Sequence, residues 1–282
     1  MRWENAEKEH LKDVLQFLIP REYACASLTS RLHTGGIPVW PGRRVQILVC
    51  RDESRNVHGI VYIENTGMLF SALSPPCQDG RLIEQLFDKI KLPPRKIHTC
   101  MGQKKDVEPI ENKLPGKPIF IDYFLMAEEG PRAARAYGEK GLAVRRADQS
   151  HAGLLFPLQE GYEKEEVLIR PEHFNPERCF RLLKKSLTEH IVYFGCLGET
   201  AAAKAGTNAL GFLWYQLGGV YTLPQYRSRG YGREVTLYLL DEISEKKKKA
   251  TLFVKINNTP AIRLYRGLGF KIQTNFRISY FR

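Results

Sequence analysis

The sequence has no CxxC pair and no cysteine–histidine cluster at zinc-ligand spacing. Its six cysteines stand at 25, 50, 77, 100, 179 and 196, the closest pair seventeen residues apart. That pattern excludes a zinc ribbon and a disulfide scaffold and predicts reduced, buried thiols. No apolar run approaches the roughly 18 residues a membrane-spanning helix needs. The N-terminal stretch Met1–Asp13 is charged and lacks the apolar core of a secretory leader, so a cytoplasmic location is expected. No short repeat is visible, and low complexity is confined to Lys246–Lys249. With 43% hydrophobic and 26% charged residues, the composition is that of an ordinary globular protein, which excludes a disordered, collagen-like or coiled-coil chain. At 282 residues, two domains or one large one are expected.

What is present in excess is positive charge. The formal net charge is +12, from 43 basic and 31 acidic residues. Residues 1–140 carry 21 basic against 18 acidic residues, and residues 141–282 carry 22 against 13. A basic second half suits an anionic partner, whether nucleic acid, an acidic surface or a phosphorylated cofactor.

Turn and breaker residues divide the chain near 128–141, where Gly, Pro, Ala and charge interrupt the apolar periodicity. The expected organisation is an N-terminal α/β domain over 1–130, a linker over 131–140 and a second domain over 141–282. In the first, an amphipathic helix is predicted over 6–19, followed by a Gly/Pro-rich stretch from Thr34 to Pro41. Strands are predicted at Val45–Arg51, at Val57–Leu73 with a break at Glu64–Gly67, at Ile97–Met101 and at Ile119–Met126, with a helix at Arg81–Ile90. In the second, strands are predicted at Leu142–Arg145, Ile191–Leu197, within Ala209–Thr222, at Ala250–Ile256 and within Gly269–Phe281. Helices are predicted at Asp148–Pro157, Pro176–Thr188, Gly232–Lys246 and Pro260–Arg266. Both halves thus run helix, strands, helix, strand, helix, strand, which suggests a duplication.

The stretch Gly219–Arg233 carries chemistry. A β-branched strand end leads into Arg227-x-x-Gly230-x-Gly232 and then a helix. Glycines let a backbone turn tightly and approach a ligand without a Cβ in the way. Successive N–H groups at a helix N-terminus point at an anion, and the helix dipole adds a favourable field. Arg227 and Arg229 can add charge-assisted hydrogen bonds. No GxxxxGK[ST] is present, and no third glycine completes a dinucleotide fingerprint.

Farther on stands Leu252-Phe-Val-Lys-Ile-Asn-Asn-Thr-Pro-Ala-Ile-Arg-Leu-Tyr-Arg-Gly-Leu-Gly-Phe270, a strand followed by Asn258-x-x-Ala261-x-x-x-Tyr265. With these two signatures in order, the chain resembles the GNAT superfamily of acyl-CoA N-acyltransferases, firmly over about residues 190–272. The resemblance implies a GNAT fold in the C-terminal half, an α/β (α+β) architecture with a mixed, mostly antiparallel sheet flanked by helices. It implies acetyl-CoA as acyl-donor co-substrate, no metal, and an amine acceptor that is a small molecule or a protein. By the same resemblance, Arg227, Ser228, Arg229, Gly230, Tyr231 and Gly232 hold the pyrophosphate of coenzyme A. Main-chain groups of Val220, Tyr221 and Thr222 pair with the pantetheine arm, and a backbone N–H there polarises the thioester carbonyl. Asn258 matches a pantetheine contact and Tyr265 a general acid for the departing thiolate. The reaction implied is direct attack by a primary amine in a ternary complex.

The family's usual strand carboxylate is absent, because Phe212–Leu217 carries no acid. Glu189, His190, Glu199 and Glu234 stand as substitutes for the general base, and none is singled out. In the first half, the loop after Met68–Leu73 reads Ser74-Pro-Pro-Cys-Gln-Asp-Gly80, and its two prolines remove two N–H donors. If that half is a second GNAT-like fold, it is degenerate, as in tandem-GNAT proteins with one decayed half. Two other readings stay open, a non-catalytic acyl-CoA-binding sensor or scaffold and a tRNA-dependent aminoacyl transferase. The basic charge suits the second of these. An intact pyrophosphate loop and the lack of a basic–aromatic stripe weigh against nucleic acid. No membrane partner is expected, and the oligomeric state is open.

Overall fold

The computed structural model describes residues 1–36, 45–130 and 141–281. The linker expected at 131–140 and most of the Gly/Pro-rich stretch from Thr34 to Pro41 lie outside the described residues. In chain order the elements are β1 (Arg2–Asn5), α1 (Leu11–Leu18), α2 (Glu22–Gly35), β2 (Val45–Arg51), β3 (Val57–Glu64), β4 (Met68–Leu73), α3 (Gly80–Lys89), β5 (Thr99–Gln103), α4 (Lys104–Glu111) and β6 (Ile119–Glu128). They continue with β7 (Ala143–Arg146), α5 (Ala152–Tyr162), α6 (Pro176–Glu189), β8 (Val192–Leu197), β9 (Thr200–Leu210), β10 (Trp214–Thr222), α7 (Tyr231–Glu245), β11 (Lys249–Lys255), α8 (Thr259–Gly267) and β12 (Phe270–Tyr280). A short π-helical segment, Glu163–Val167, extends α5. Contacts divide the chain into two units. The first holds Met1–Met126, Phe253–Thr259 and Ile272–Arg282, and the second holds Ala127–Leu252 and Pro260–Lys271.

In the first unit the hydrogen-bonded order is β1-β2-β3-β4-β5-β12-β6. The pairs are antiparallel where registered, except β4 with β5, which run parallel. Successive side chains along a strand face opposite ways, and both faces here are covered by helices. Ile47, Val49, Ile60, Tyr62, Phe70 and Ala72 pack with Val14, Leu18, Leu28 and Leu32 of α1 and α2. Their neighbours Leu48, Cys50, Val61, Ile63, Leu69 and Leu73 pack with Ile83, Leu86, Val107 and Ile110 of α3 and α4. Burial on both faces explains why these strands read as nearly unbroken apolar runs.

The second unit has the order β7-β8-β9-β10-β11, antiparallel except for the parallel pair β10–β11. On one face, Leu155, Leu158, Leu183 and Leu187 of α5 and α6 pack on Val192, Phe194 and Cys196. On the other, α7 buries Val235, Leu239 and Ile243, and Tyr193 of β8 donates to Glu242 at 3.0 Å. The expected mixed, mostly antiparallel sheet flanked by helices is therefore present. The two halves of the chain also repeat one element order, strand, two helices, three strands, helix, strand, helix, strand, from β1 to β6 and again from β7 to β12.

The sequence reading missed some elements, β9 most consequentially. Its residues Thr200–Asn208 are alanine-rich and carry little β propensity. The strand forms because tertiary burial selects small side chains, and Ala201, Ala202, Ala203 and Ala205 are all buried. Helices α2 and α4 and strand β1 were also unread, and α4 contains Pro109. The closing region, read as one or two strands, is a single strand, β12.

In the first unit, β4 and β5 pair only from Met68↔Thr99 to Phe70↔Met101. Beyond that the opening is filled by the chain itself. Asp106 of α4 is fully buried and accepts hydrogen bonds from the Leu73 N–H at 3.1 Å and from Gln78 Nε2 at 3.0 Å. Gly102 lies so close that a Cβ there would stand 2.7 Å from the Ser71 carbonyl. The N-terminus of α3 is capped by Asp79, which accepts from the Arg81 N–H at 2.9 Å. A carboxylate at each of these places occupies the donors an anionic ligand would use.

A buried ionic network holds β12 to β6 and α4. Arg277 grips Asp122 with two hydrogen bonds, of 2.7 and 3.0 Å, and donates to Glu111 at 2.8 Å. Ser279 donates to the other Glu111 oxygen, and Phe120 lies 4.0 Å beneath the guanidinium. Truncating Arg277 leaves buried Glu111 without its cation, while Asp122 keeps Lys104 at 3.0 Å. We expect Arg277→Ala to lose about 3–5 kcal/mol of unfolding free energy in a urea titration. A loss below about 1 kcal/mol would show that the network relaxes freely.

Asp106 yields a pH prediction. Burial pushes its carboxyl from 3.8 up to about 6, against the opposing pull of the Leu73 N–H. The folded state therefore holds this proton more tightly than the unfolded chain. Its contribution to stability is full below about pH 4 and is lost as pH rises toward 6. Relative to Asp106→Asn, the wild type should lose about 2–3 kcal/mol between those pH values. A constant difference between the two proteins across that window would refute the assignment.

Candidate functional site

The site begins where a ladder stops. Strands β10 and β11 pair only over Trp214↔Lys249, Tyr215↔Ala250 and Gln216↔Thr251. From Leu217 to Thr222, β10 has no registered partner on that side among the described residues. Its other edge stays paired with β9 but with a slip. Gly218 faces Gly206 and Tyr221 faces Lys204, so β10 spends three steps where β9 spends two. The extra residue makes a β-bulge at Gly219–Val220, with Gly219 at φ +64°. An open strand edge next to a bulge offers main-chain donors and acceptors to an extended ligand. Val220, Tyr221 and Thr222, singled out from sequence, lie on this edge.

The strand then leads through a turn into α7. Ser228 has φ +61° and Gly230, the residue before the helix, φ +82°. A non-glycine residue in the left-handed region is held there at a cost, and such cost concentrates at ligand-binding turns. No side chain caps α7, and the first internal bond runs from the Glu234 N–H to the Gly230 carbonyl at 3.0 Å. The N–H groups of Tyr231, Gly232 and Arg233 precede it, as at any helix start. Gly232 is required for packing, since a Cβ there would stand 2.9 Å from Thr222 Oγ1. The strand edge and the helix N-terminus are thus held side by side, in contrast to the acid-capped α3.

Arginine 227 is placed differently from the sequence reading. Its Nη2 pairs with Glu165 at 2.7 Å, its Nε donates to the Thr222 carbonyl at 3.1 Å, and its guanidinium lies 5.2 Å from the Tyr221 ring. Tyr221 donates to the same glutamate at 2.5 Å, and burial together with that carboxylate pushes its phenol up to about 12. The ring packs on Gly161, where a Cβ would clash with it. Arg227 therefore ties the turn to the segment after α5. It is exposed, as is Arg229, which lies near the Tyr226 ring at 6.0 Å.

Tyr265 of α8 is 8% exposed, edge-on to Phe270 at 5.9 Å. Burial raises its pKa, and Tyr162 and Glu166 raise it further. The hydroxyl stays protonated through the working range and is available as a donor. Asn258 lies in the turn before α8, where its N–H donates to the Lys255 carbonyl at 2.9 Å, and it clusters with the first unit. Of the base candidates, Glu199 is exposed in the β8–β9 turn and Glu189 pairs loosely with Lys185 at 3.7 Å. Glu234 is buried on α7. His190 follows α6 with its pKa lowered by burial and its Nδ1 unbonded.

Sequence reasoning missed the groups that gather around α5. The segment Glu163–Val167 aims Glu163 at Cys179, Glu165 at Tyr221 and Arg227, and Glu166 toward Tyr265. Lys204 of β9 is 4% exposed, and burial lowers its pKa to about 8. A lone lysine inside an alanine-rich run was the available signal. It went unused because the run itself was not read as a strand.

Comparisons with known proteins bear on this geometry. Residues 196–278 match the family model described as FR47-like protein. No curated protein matches the sequence. A solved Drosophila protein superposes with a TM-score of 0.67 at 12% identity, covering 99% of this chain and 98% of its own. An acetyltransferase described as of the GNAT family, from Colwellia psychrerythraea, gives 0.58 at 11% identity over the whole of both chains. A protein described as a tandem GNAT protein from the clavulanic acid biosynthesis pathway gives 0.51 at 11% identity, covering 99% and 97%.

Proposed function

We propose that this chain, whose fold is that of the GNAT acetyltransferases, transfers an acyl group from acyl-CoA, acetyl-CoA in the simplest case, to a primary amine. The observation that carries this reading is the junction of β10 and α7. An open strand edge beyond a bulge runs directly into an uncapped helix N-terminus whose turn holds Ser228 and Gly230 in the left-handed region. The edge matches an amide-bearing arm, and the helix start matches a pyrophosphate. Coenzyme A joins both in one molecule. The residues present fit it: Arg229, Ser228, Gly230, Tyr231 and Gly232 at the phosphates, and Val220, Tyr221 and Thr222 along the arm. Exposed Arg227 joins them at the phosphates. Asn258 is proposed as a further contact to the arm.

In this reading the amine attacks the thioester directly. The N–C bond forms, the C–S bond breaks, and a proton passes from the amine to the sulfur. Tyr265 hydrogen-bonds the leaving sulfur. Its raised pKa makes the phenol a steady hydrogen-bond donor but a weaker proton donor than an unperturbed tyrosine. The first unit, whose equivalent opening is filled by Asp106 and whose helix is capped by Asp79, is proposed as the non-binding member of a tandem pair. The missing carboxylate on Phe212–Leu217 favours a second reading, an acyl-CoA-binding module without turnover.

Calorimetric titration with acetyl-CoA tests the phosphate turn. Micromolar binding is expected, and the Arg227→Ala/Arg229→Ala double variant should weaken it about 10- to 100-fold, or about 1.4–2.8 kcal/mol. Equal binding by both proteins would remove the turn from the site. Tyr265→Phe separates the two readings. The enzyme should lose about 100-fold or more in kcat while the acetyl-CoA affinity holds. Binding without any turnover in the wild type, across a screen of amines, would support the module.

A further inference from the structure

Lys204 is a charged residue in the interior of the second unit, with no carboxylate ion-paired to it among the described residues. Its Nζ donates to Gln159 Oε1 at 2.9 Å and to the Gly219 carbonyl at 2.9 Å, and it lies 5.1 Å from the Tyr162 ring. Gly219 is the bulge residue, at φ +64°, and its carbonyl is the one that Lys204 bonds. A peptide unit is planar and trans, so its carbonyl and N–H point in opposite directions. The N–H on the far side of this peptide belongs to Val220, on the edge of β10 that has no registered ladder partner on the β11 side. A cation hydrogen-bonded to one end of a peptide strengthens the donor at the other. It also fixes the direction in which that donor points.

We infer that Lys204 is a positioning residue for acyl transfer, orienting and polarising the Gly219–Val220 peptide so that the Val220 N–H stabilises the developing charge on the thioester oxygen. This inference rests on the acyl-CoA reading above. It differs from a purely structural role in one respect, because the effect follows the charge on Lys204. The elements packed around the lysine bring their own titratable groups. On α5 stand Tyr162 and Glu160, the latter paired with Lys164 at 2.6 Å. On the π segment Glu163 bonds Cys179 of α6, whose thiol burial and Glu163 push up to about 12. On β10 the neighbour is Tyr221, also near 12, and on β8 the facing residue is Phe194. Burial pushes Cys179 and Tyr221 up to about 12, whereas it places Lys204 near pH 8. The cation is present below that value and fades above it.

The thioester carbonyl stretch of bound acetyl-CoA, read by infrared difference between ¹²C and ¹³C carbonyl labels, tests this without any acceptor. In the wild type well below pH 8 the stretch should fall to lower frequency than in free acetyl-CoA. It should return toward the free value as pH rises through about 8. Lys204→Met should abolish the shift at every pH while the acetyl-CoA dissociation constant changes by less than about threefold. Lys204→Arg, charged at all working pH, should keep the shift above pH 8. A shift in the wild type that ignores pH, or one that survives in folded Lys204→Met, overturns the inference and leaves acyl-CoA binding standing. Failure of the wild type to bind acetyl-CoA overturns both. If the methionine variant does not fold, the pH titrations of the wild type and Lys204→Arg decide alone.

Discussion

Everything proposed for the second unit depends on a ladder that stops after three residue pairs, Trp214↔Lys249 to Gln216↔Thr251. Up to Gln216 the hydrogen bonds of β10 are consumed by its neighbours on both sides. From Leu217 onward its outer edge is released, and the bulge at Gly219–Val220 redirects it. The turn into α7 follows immediately, so an open edge and an open helix start arrive within ten residues of one another. Neither feature alone is specific, since bulges and uncapped helices are common. Their adjacency is what narrows the ligand to a molecule with an amide-bearing arm and a charged end.

In the first unit the same element order closes the corresponding opening from within. Its parallel pair also stops after three registered residues, from Met68↔Thr99 to Phe70↔Met101. There a buried aspartate takes up the Leu73 N–H, Gly102 closes on Ser71, and an aspartate caps the following helix. Unmet backbone donors in a protein interior are costly, so an opening of this kind is either filled from within or kept for a partner. The first unit fills its opening with Asp106 and caps the following helix with Asp79, whereas no side chain caps α7.

Much of this was legible in the residues. The strands of the first unit were plain because burial on two faces leaves long apolar runs such as Val45–Cys50 and Val57–Ile63. The loop Arg227-x-x-Gly230-x-Gly232 was plain because glycine spacing reports backbone conformation directly, and Gly230 does lie at positive φ. What could not be read depends on contacts between distant residues. Strand β9 is built from alanine and glycine, which have no propensity to announce it, and with it went Lys204. No local pattern singled out Glu163, Glu165 or Glu166. Only the fold brings Glu165 to Tyr221 and Arg227, residues 56 and 62 positions away. Local pattern reports backbone shape, whereas the charges that tune a site belong to tertiary structure.

Strand β12 has a consequence in time. Its half Phe276–Tyr280 pairs with β5, and Arg277 locks it to Asp122 and Glu111 of the first unit. On a ribosome the residues of β5, α4 and β6 emerge long before this strand does. Domains usually fold in the order of synthesis, but the first unit stays unfinished until the whole second unit has been made. Until then β5 exposes an unpaired edge, and Glu111 lacks its cation while Asp122 holds only Lys104. Nascent chains cut short anywhere before Phe276 carry that open edge, so the pairing of β12 is the step that closes it.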